Sequence, residues 1–108
     1  MIYLASPHSH PNRLRRKERV DRVCAKAAEM MLAGEHVFSP IAHSANISRF
    51  VSFSDDWEDW KWYDTWFLSR CDKLVVLKLE GWKDSVGVQA EIKIAEGLGI
   101  PIEYMEET

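Results

Sequence analysis

"KLVVLKL", residues 73–79, is the stretch that indicates the fold most directly. Its apolar residues follow one another without the alternation of apolar and polar side chains that marks a strand with one solvated face. Continuous apolar strands of this length are typical of parallel sheets, in which helices cover both faces of the sheet. The stretch therefore predicts an α/β protein in which residues 73–79 form a buried strand.

Helical segments flank this strand on both sides along the chain. Residues 56–72, DWEDWKWYDTWFLSRCD, are predicted to form a helix whose aromatic residues spread over more than one face. Residues 81–102, GWKDSVGVQAEIKIAEGLGIPI, are predicted to form a polar loop, a helix, a Gly-Leu-Gly break and the beginning of a strand. That last strand is expected within IPIEYM, residues 100–105.

The N-terminal half repeats the alternation of strands and helices. Residues 1–6, MIYLAS, are predicted to form a strand, and Asn12 is a plausible N-cap for an amphipathic helix over residues 13–34. EHVFSP, residues 35–40, is predicted to form a second strand that ends at a proline. Residues 41–56, IAHSANISRFVSFSDD, show no sustained period and are predicted to form a long loop of the kind that often serves function.

This order of elements predicts one α/β domain over residues 1–108, with a small parallel sheet of four to five strands between layers of helices. Ligands of such sheets bind outside the carboxyl ends of the strands. The segments that follow the first three predicted strands are SPHSHP, SPIAHSAN and EGWKDSVG, and all three are rich in Ser, His, Gly or Asp. We therefore expect the functional site to lie among these segments.

Composition limits the classes of function. A net charge of −3 and a pI near 5.8 give no basic excess for binding duplex nucleic acid, and the basic run NRLRRKERVDR is most simply the exposed face of a helix. Cys24 and Cys71 have no metal-ligand spacing and are expected to be reduced thiols. The sequence has neither a membrane-spanning run nor the order of a signal peptide, so we expect a cytoplasmic location and no membrane partner.

The predicted strand-end loops contain candidate ligand contacts. Ser85 and Asp84 precede the last predicted helix, and both interpretations stay open there: a cap of the helix, or an anion site at the positive end of the helix dipole. Ser6, His8 and His43 follow predicted strands and are candidate substrate contacts. The histidines lack the i, i+4 spacing of a helical zinc pair, so we predict no metal site.

Asp64 differs from the other acidic residues because it lies deep in its predicted helix among Trp60, Tyr63 and Trp66. An acid in aromatic surroundings tends to be kept protonated by desolvation, and an acid of this kind paired with a carboxylate is what cleavage of a glycosidic bond requires. Asp64 is equally compatible with a surface position whose aromatic neighbours face the other way. The sequence leaves both interpretations open.

Three short motifs carry a resemblance to a known family: IYLASP at residues 2–7, YDTWFLSRCDKLVVL at residues 63–77 and SVGVQAEIKIAEGLGIPI at residues 85–102. In these motifs the chain resembles the nucleoside 2-deoxyribosyltransferases, their relatives the 2'-deoxynucleoside 5'-phosphate N-hydrolases, and short uncharacterised bacterial and phage proteins. The resemblance implies a flavodoxin-like three-layer sandwich. It also implies homo-oligomers, dimers or larger, whose sites are completed by a neighbouring subunit.

The resemblance implies roles for individual residues. The nucleophilic glutamate of the family's G-x-x-x-E pattern corresponds to Glu91, with Gly87 as the glycine. The tyrosine that orients this glutamate corresponds to Tyr3, and the aspartate that protonates the leaving base corresponds to Asp64. The serine that contacts a 5'-phosphate in the N-hydrolases corresponds to Ser85.

These assignments imply an enzyme that cleaves or exchanges the N-glycosidic bond of a nucleoside or nucleoside 5'-monophosphate through a glutamyl-glycosyl intermediate. Asp84 is an approximate match for the acidic residue that contacts the sugar in the transferases. The chemistry needs neither a metal nor an organic cofactor. We expect the glutamate to face the sugar from the start of its helix.

Two alternatives from other classes stay open. A nucleotide-binding or sensing module would use the same crevice without catalysis. An interaction protein would instead dock a partner on the Trp-rich segment from Trp57 to Trp66.

Overall fold

The computed structural model describes residues 1–51 and 56–107, and within these ranges four parallel strands form one sheet in the order β2-β1-β3-β4. Tyr3 lies opposite Leu74, and Leu74 lies opposite Ile102, so the three longer strands are in register. The parallel sheet predicted from the sequence is confirmed. In the described ranges it has four strands, where four to five were expected. The strands are β1 Ile2–Ala5, β2 Val37–Phe38, β3 Lys73–Leu77 and β4 Ile102–Met105.

Four α-helices of the described ranges connect these strands, and each begins at a residue that caps it. The side chain of Asn12 accepts a hydrogen bond from the backbone N–H of Leu14 at 2.8 Å, and that of Ser85 accepts one from Val88 at 3.2 Å. Such caps satisfy backbone donors that have no partner inside the helix. The helices are α1 Arg13–Leu32, α2 Pro40–Ile47, α3 Trp57–Leu68 and α4 Val86–Leu98.

The sheet separates two hydrophobic clusters, which gives three layers. Alternate residues of β1 point to opposite faces: Tyr3 packs with residues of α3 and α4, whereas Leu4 packs with residues of α1 such as Val23 and Met30. Leu74 and Val75 of β3 divide in the same way. The parallel sheet between layers of helices, predicted from the alternation of strands and helices, is therefore the observed architecture.

The helix α2 corrects the prediction of a continuous loop over residues 41–56. Ser39 caps this helix by accepting a hydrogen bond from Ala42 N at 3.1 Å, and Pro40 occupies its first turn, where a missing N–H costs nothing. Pro40 was interpreted as the end of a strand, and an eight-residue helix is too short to show a clear apolar period. Residues 52–55 of the predicted loop lie outside the described residues.

The topology opens a crevice at the carboxyl ends of β1 and β3. From β1 the chain passes to α1 on one face of the sheet, and from β3 it passes to α4 on the other face. Parallel sheets bind ligands at such a switch point, because the two connections diverge and leave a gap between them. Among the helices described, none is both long and apolar enough to cross a membrane.

Candidate active site

A cleft of about 960 Å³ occupies this switch point. Its walls come from the segment after β1, the first turns of α1, the α2 region, α3, and the loop that leads into α4. Small-molecule sites in proteins commonly measure about 300–1,000 Å³. The cleft is thus large enough to hold a nucleotide-sized ligand.

Glu91 lines this cleft, and Tyr3 contacts it from β1. The hydroxyl of Tyr3 donates a hydrogen bond to Oε2 of Glu91, and neither side chain is more than 4% exposed. The register of β1 directs Tyr3 toward α4, where Glu91 is the sixth residue of the helix. Glu91 therefore lies in the second turn of α4, deeper than the helix start at which we expected it.

Burial controls the protonation of Glu91. Loss of hydration raises the pKa of its carboxyl to about 8, the hydrogen bond from Tyr3 lowers that pKa, and the charge of Asp64 raises it. Burial, together with the charges of Glu91 and Asp64, also raises the pKa of Tyr3 well above its usual value. Tyr3 therefore stays an O–H donor at neutral pH.

Asp64 is the second buried carboxyl in the wall of the cleft. It is 9% exposed, and loss of hydration raises its pKa to about 6. The aromatic neighbours divide between two environments, because Trp60 lines the cleft whereas Trp62 and Trp66 are largely exposed. Of the two interpretations left open by the sequence, the buried acid is the one that the structure shows.

The loop before α4 and the first turn of that helix bring three predicted residues to the cleft: Asp84, Ser85 and Gly87. Ser85 caps α4 through its hydroxyl oxygen, as one interpretation of the sequence expected. The same hydroxyl keeps its hydrogen for donation, and the first N–H groups of a helix have no partner inside the helix. Capping and anion binding are therefore compatible at Ser85.

Ser6 and His8 follow β1 and line the cleft as predicted. Ser6 is buried, and its hydroxyl has no hydrogen-bond partner among the described residues. A buried hydroxyl without a partner costs free energy, which a ligand atom in the cleft would recover.

His43 is the one predicted contact that the described structure does not bring to this cleft. It is exposed on α2, and its Nε2 hydrogen-bonds with the hydroxyl of Tyr63 at 2.9 Å. There it lines a separate depression of about 290 Å³ together with Trp60, Trp62 and Tyr63. The helix α2, which the sequence did not predict, directs His43 toward α3 and away from the strand ends.

The cleft is also lined by basic residues whose place in it was not predicted from the sequence. Arg13, Arg16 and Lys17 of α1 line the cleft, and Arg49 beyond α2 joins them. The first three have the i, i+3, i+4 spacing that places residues on one face of a helix. This spacing within the basic run was the one feature of the sequence that indicated a shared basic face. The sequence alone did not show which face of α1 meets the crevice.

Two tryptophans give the cleft an aromatic wall. Trp57 and Trp60, at the beginning of α3, line the cleft and are partly exposed. Tryptophan rings in such a position can stack on a planar base. Among residues 1–51 and 56–107, no group of three or more His, Cys, Asp or Glu side chains is placed to hold a metal ion.

Comparison with protein families assigns the chain to a family. Residues 1–107 match the family described as "Domain of unknown function (DUF1937)", which is nearly the whole chain. No curated protein matches the sequence.

Proposed function

The chain belongs to the DUF1937 family, and we propose that it cleaves or exchanges the N-glycosidic bond of a nucleoside or nucleoside 5'-monophosphate. One observation carries this proposal: two buried carboxyls, Glu91 and Asp64, share a cleft, and Tyr3 donates a hydrogen bond to Glu91. A pair of carboxyls that flanks one bond is the arrangement by which glycosidic bonds are broken. The resemblance in sequence to the deoxyribosyltransferases agrees with the same three residues.

In the first step the carboxylate of Glu91 attacks the anomeric carbon of the sugar. The bond between that carbon and the base nitrogen breaks, and its electron pair leaves with the base. Asp64 transfers its proton to the base, so the base departs neutral. The products of this step are a glycosyl ester of Glu91, an ionised Asp64 and the free base.

In the second step water or a second base attacks the same carbon. The ester bond to Glu91 breaks and its electron pair returns to the carboxylate, while Asp64 takes a proton from the attacking nucleophile. Two displacements at one carbon retain its configuration. Attack by water gives hydrolysis, whereas attack by a base gives transfer.

The two carboxyls must exchange a proton before the first step. With pKa values of about 8 for Glu91 and about 6 for Asp64, the pair at neutral pH carries its proton mainly on Glu91. The reactive arrangement places the proton on Asp64, so moving the proton from Glu91 to Asp64 costs free energy before the first step. Positive charge that develops on the sugar beside Glu91, and the hydrogen bond from Tyr3, both favour the reactive arrangement.

Other residues of the cleft supply binding. The hydroxyl of Ser85 and the N-terminus of α4 are suited to a 5'-phosphate oxygen, because both present hydrogen-bond donors. Asp84 is suited to accept a hydrogen bond from a sugar hydroxyl, and Trp57 and Trp60 to stack on the base. We also propose that the active form is a homo-oligomer, which light scattering during size-exclusion chromatography tests.

The experiment that tests this function is incubation of the protein with a panel of nucleosides and 5'-monophosphates, with and without an acceptor base. Chromatography then measures free base and exchanged nucleoside. Release of free base that the Glu91→Gln variant no longer shows supports the proposal. The samples that contain an acceptor base distinguish hydrolysis from transfer. A ligand that raises the melting temperature while no base is released contradicts it, and favours a binding module without catalysis.

A further inference from the structure

The face of α1 that meets the cleft is basic over its first two turns. Arg13, Arg16 and Lys17 line the cleft, and Val20, seven residues beyond Arg13, continues the same face. α1 covers the face of the sheet opposite to α4, so this basic wall stands across the cleft from Ser85 and Glu91. The proposed reaction uses none of these cations.

Two of the basic side chains of α1 hold the backbone around the cleft. Arg16 donates to the carbonyl oxygens of His10 and Pro11. Arg19 donates to those of Ser9 at 2.8 Å and Glu80 at 2.9 Å, and so ties α1 to the loop before α4. These two arginines have a structural use already.

Arg13 and Lys17 differ from them. Neither forms a hydrogen bond or an ion pair with the part of the chain that the structure describes, although both line the cleft. Other cations of the same helix have carboxylate partners: Arg15 pairs with Glu18 at 3.3 Å, and Arg22 pairs with Glu107 at 3.5 Å. Arg13 and Lys17 thus present charge to the cleft without a hydrogen-bond or ion-pair partner among residues 1–51 and 56–107.

The buried hydroxyl of Ser6 is a second, independent indication of a polar ligand on this side of the cleft. Ser6 follows β1 directly, at the start of the connection to α1, and its hydroxyl has no partner among the described residues. The cleft is also lined by the carboxyl groups of Asp21, Asp56 and Asp84, so the net charge of the cleft does not by itself attract an anion. An anionic group of the ligand must instead contact the basic wall of α1 directly.

We propose that Arg13 and Lys17 form a subsite for a chain of phosphates, so the favoured ligand is a nucleoside 5'-diphosphate or 5'-triphosphate. This inference rests on the proposed function only for the nucleoside part of the ligand. A single phosphate at Ser85 leaves the opposite wall without a partner, whereas a longer phosphate chain carries negative charge across the cleft. Charge-assisted hydrogen bonds from Arg and Lys to phosphate are among the strongest that proteins form.

The test is calorimetric titration of the full chain with inorganic phosphate, pyrophosphate and tripolyphosphate, and with deoxynucleoside mono-, di- and triphosphates. The variant is Arg13→Ala with Lys17→Ala. The control, Arg15→Ala with Arg22→Ala, removes the same charge from cations of α1 that have carboxylate partners. We expect tripolyphosphate to bind at least about tenfold more tightly than phosphate, and the variant but not the control to lose that gain. Equal affinities in the unaltered protein, or a gain that survives in the variant, would overturn the subsite.

Base release is measured on the same nucleotides, which separates this inference from the proposed function. Release from monophosphates without preference for longer phosphate chains contradicts the subsite and leaves the glycosidase chemistry standing. A preference for longer chains that the variant loses, without base release from any nucleotide, supports the subsite and contradicts the glycosidase chemistry.

Discussion

Tyr3 and Glu91 lie 88 positions apart in the sequence, and the hydroxyl of Tyr3 donates a hydrogen bond to the carboxylate of Glu91. This contact joins the first strand of the sheet to the second turn of α4. It fixes the orientation of a carboxyl whose pKa is raised to about 8 by loss of hydration.

Tyr3→Phe removes the O–H donor and leaves the ring in place. We expect kcat to fall about 10- to 100-fold with little change in KM, because a hydrogen bond to a charged group contributes about 1.5–3 kcal/mol. The high-pH limit of activity should move upward, because the hydrogen bond lowers the pKa of Glu91. Steady-state kinetics across pH measures both effects, and an unchanged pH profile would show that Tyr3 only fills space.

Activity should depend on pH as a bell with its maximum between about pH 6 and about pH 8. Within this window Asp64 and Glu91 together hold one proton, which the reaction needs. Below it both carboxyls are protonated and no nucleophile remains, whereas above it both are ionised and no acid remains. Rates of base release measured at constant ionic strength give the profile, and a rate that rises steadily beyond pH 9 would be inconsistent with Asp64 as the acid.

Glu91→Gln should make the free energy of unfolding less dependent on pH. The folded-state pKa of Glu91, about 8, lies above the ordinary value of 4.5, so the folded protein binds the additional proton between these values. Glu91 therefore stabilises the fold fully below pH 4.5, and this stability is lost as the pH rises to about 8. The slope for one proton is about 1.4 kcal/mol per pH unit.

Urea denaturation at several pH values measures this effect. Relative to the unaltered protein, the free energy of unfolding of the variant should increase as the pH rises from 5 to 8. The reason is that the stability contributed by the raised pKa of Glu91 is lost over this range only where Glu91 is present. Glu96→Gln is the matched control, because Glu96 is an exposed residue of the same helix. Parallel stability curves for the Glu91 variant and the unaltered protein would mean that the carboxyl is ionised in the folded state throughout.

Asp64→Asn should slow base release about 10²- to 10⁴-fold, which is the usual range for loss of a general acid. The loss should be much smaller for a nucleoside of an N7-methylated purine. Such a base already carries a positive charge and leaves neutral without taking a proton. Equal losses on both substrates would indicate that Asp64 serves structure and not proton transfer.

The fold was predictable where pattern and burial agree. The uninterrupted apolar run of Leu74, Val75, Val76 and Leu77 contacts helices on both faces, which is why it indicated a parallel sheet. The helix α2 was not predictable by the same argument. Its eight residues depend on the cap at Ser39 and on packing of Ile41 against the hydrophobic cluster on the α1 side of the sheet.

The site was predictable in part. Ser6, Asp64 and Ser85 follow from rules about strand ends, aromatic surroundings and helix caps, and all three line the cleft. The basic wall of α1 was missed, because a run of cations on a helix is usually solvated and only the packing of α1 shows which face meets the crevice. His43 was misplaced because the unpredicted helix α2 turns it toward Tyr63.

The measurement that tests the central claim most directly is the mass of the protein after rapid acid quenching during turnover. The account predicts a population that is heavier by one glycosyl residue, with the adduct on the peptide that contains Glu91, and no such population in Glu91→Gln. Turnover without any adduct on that peptide, or an adduct that persists in Glu91→Gln, would contradict Glu91 as the nucleophile.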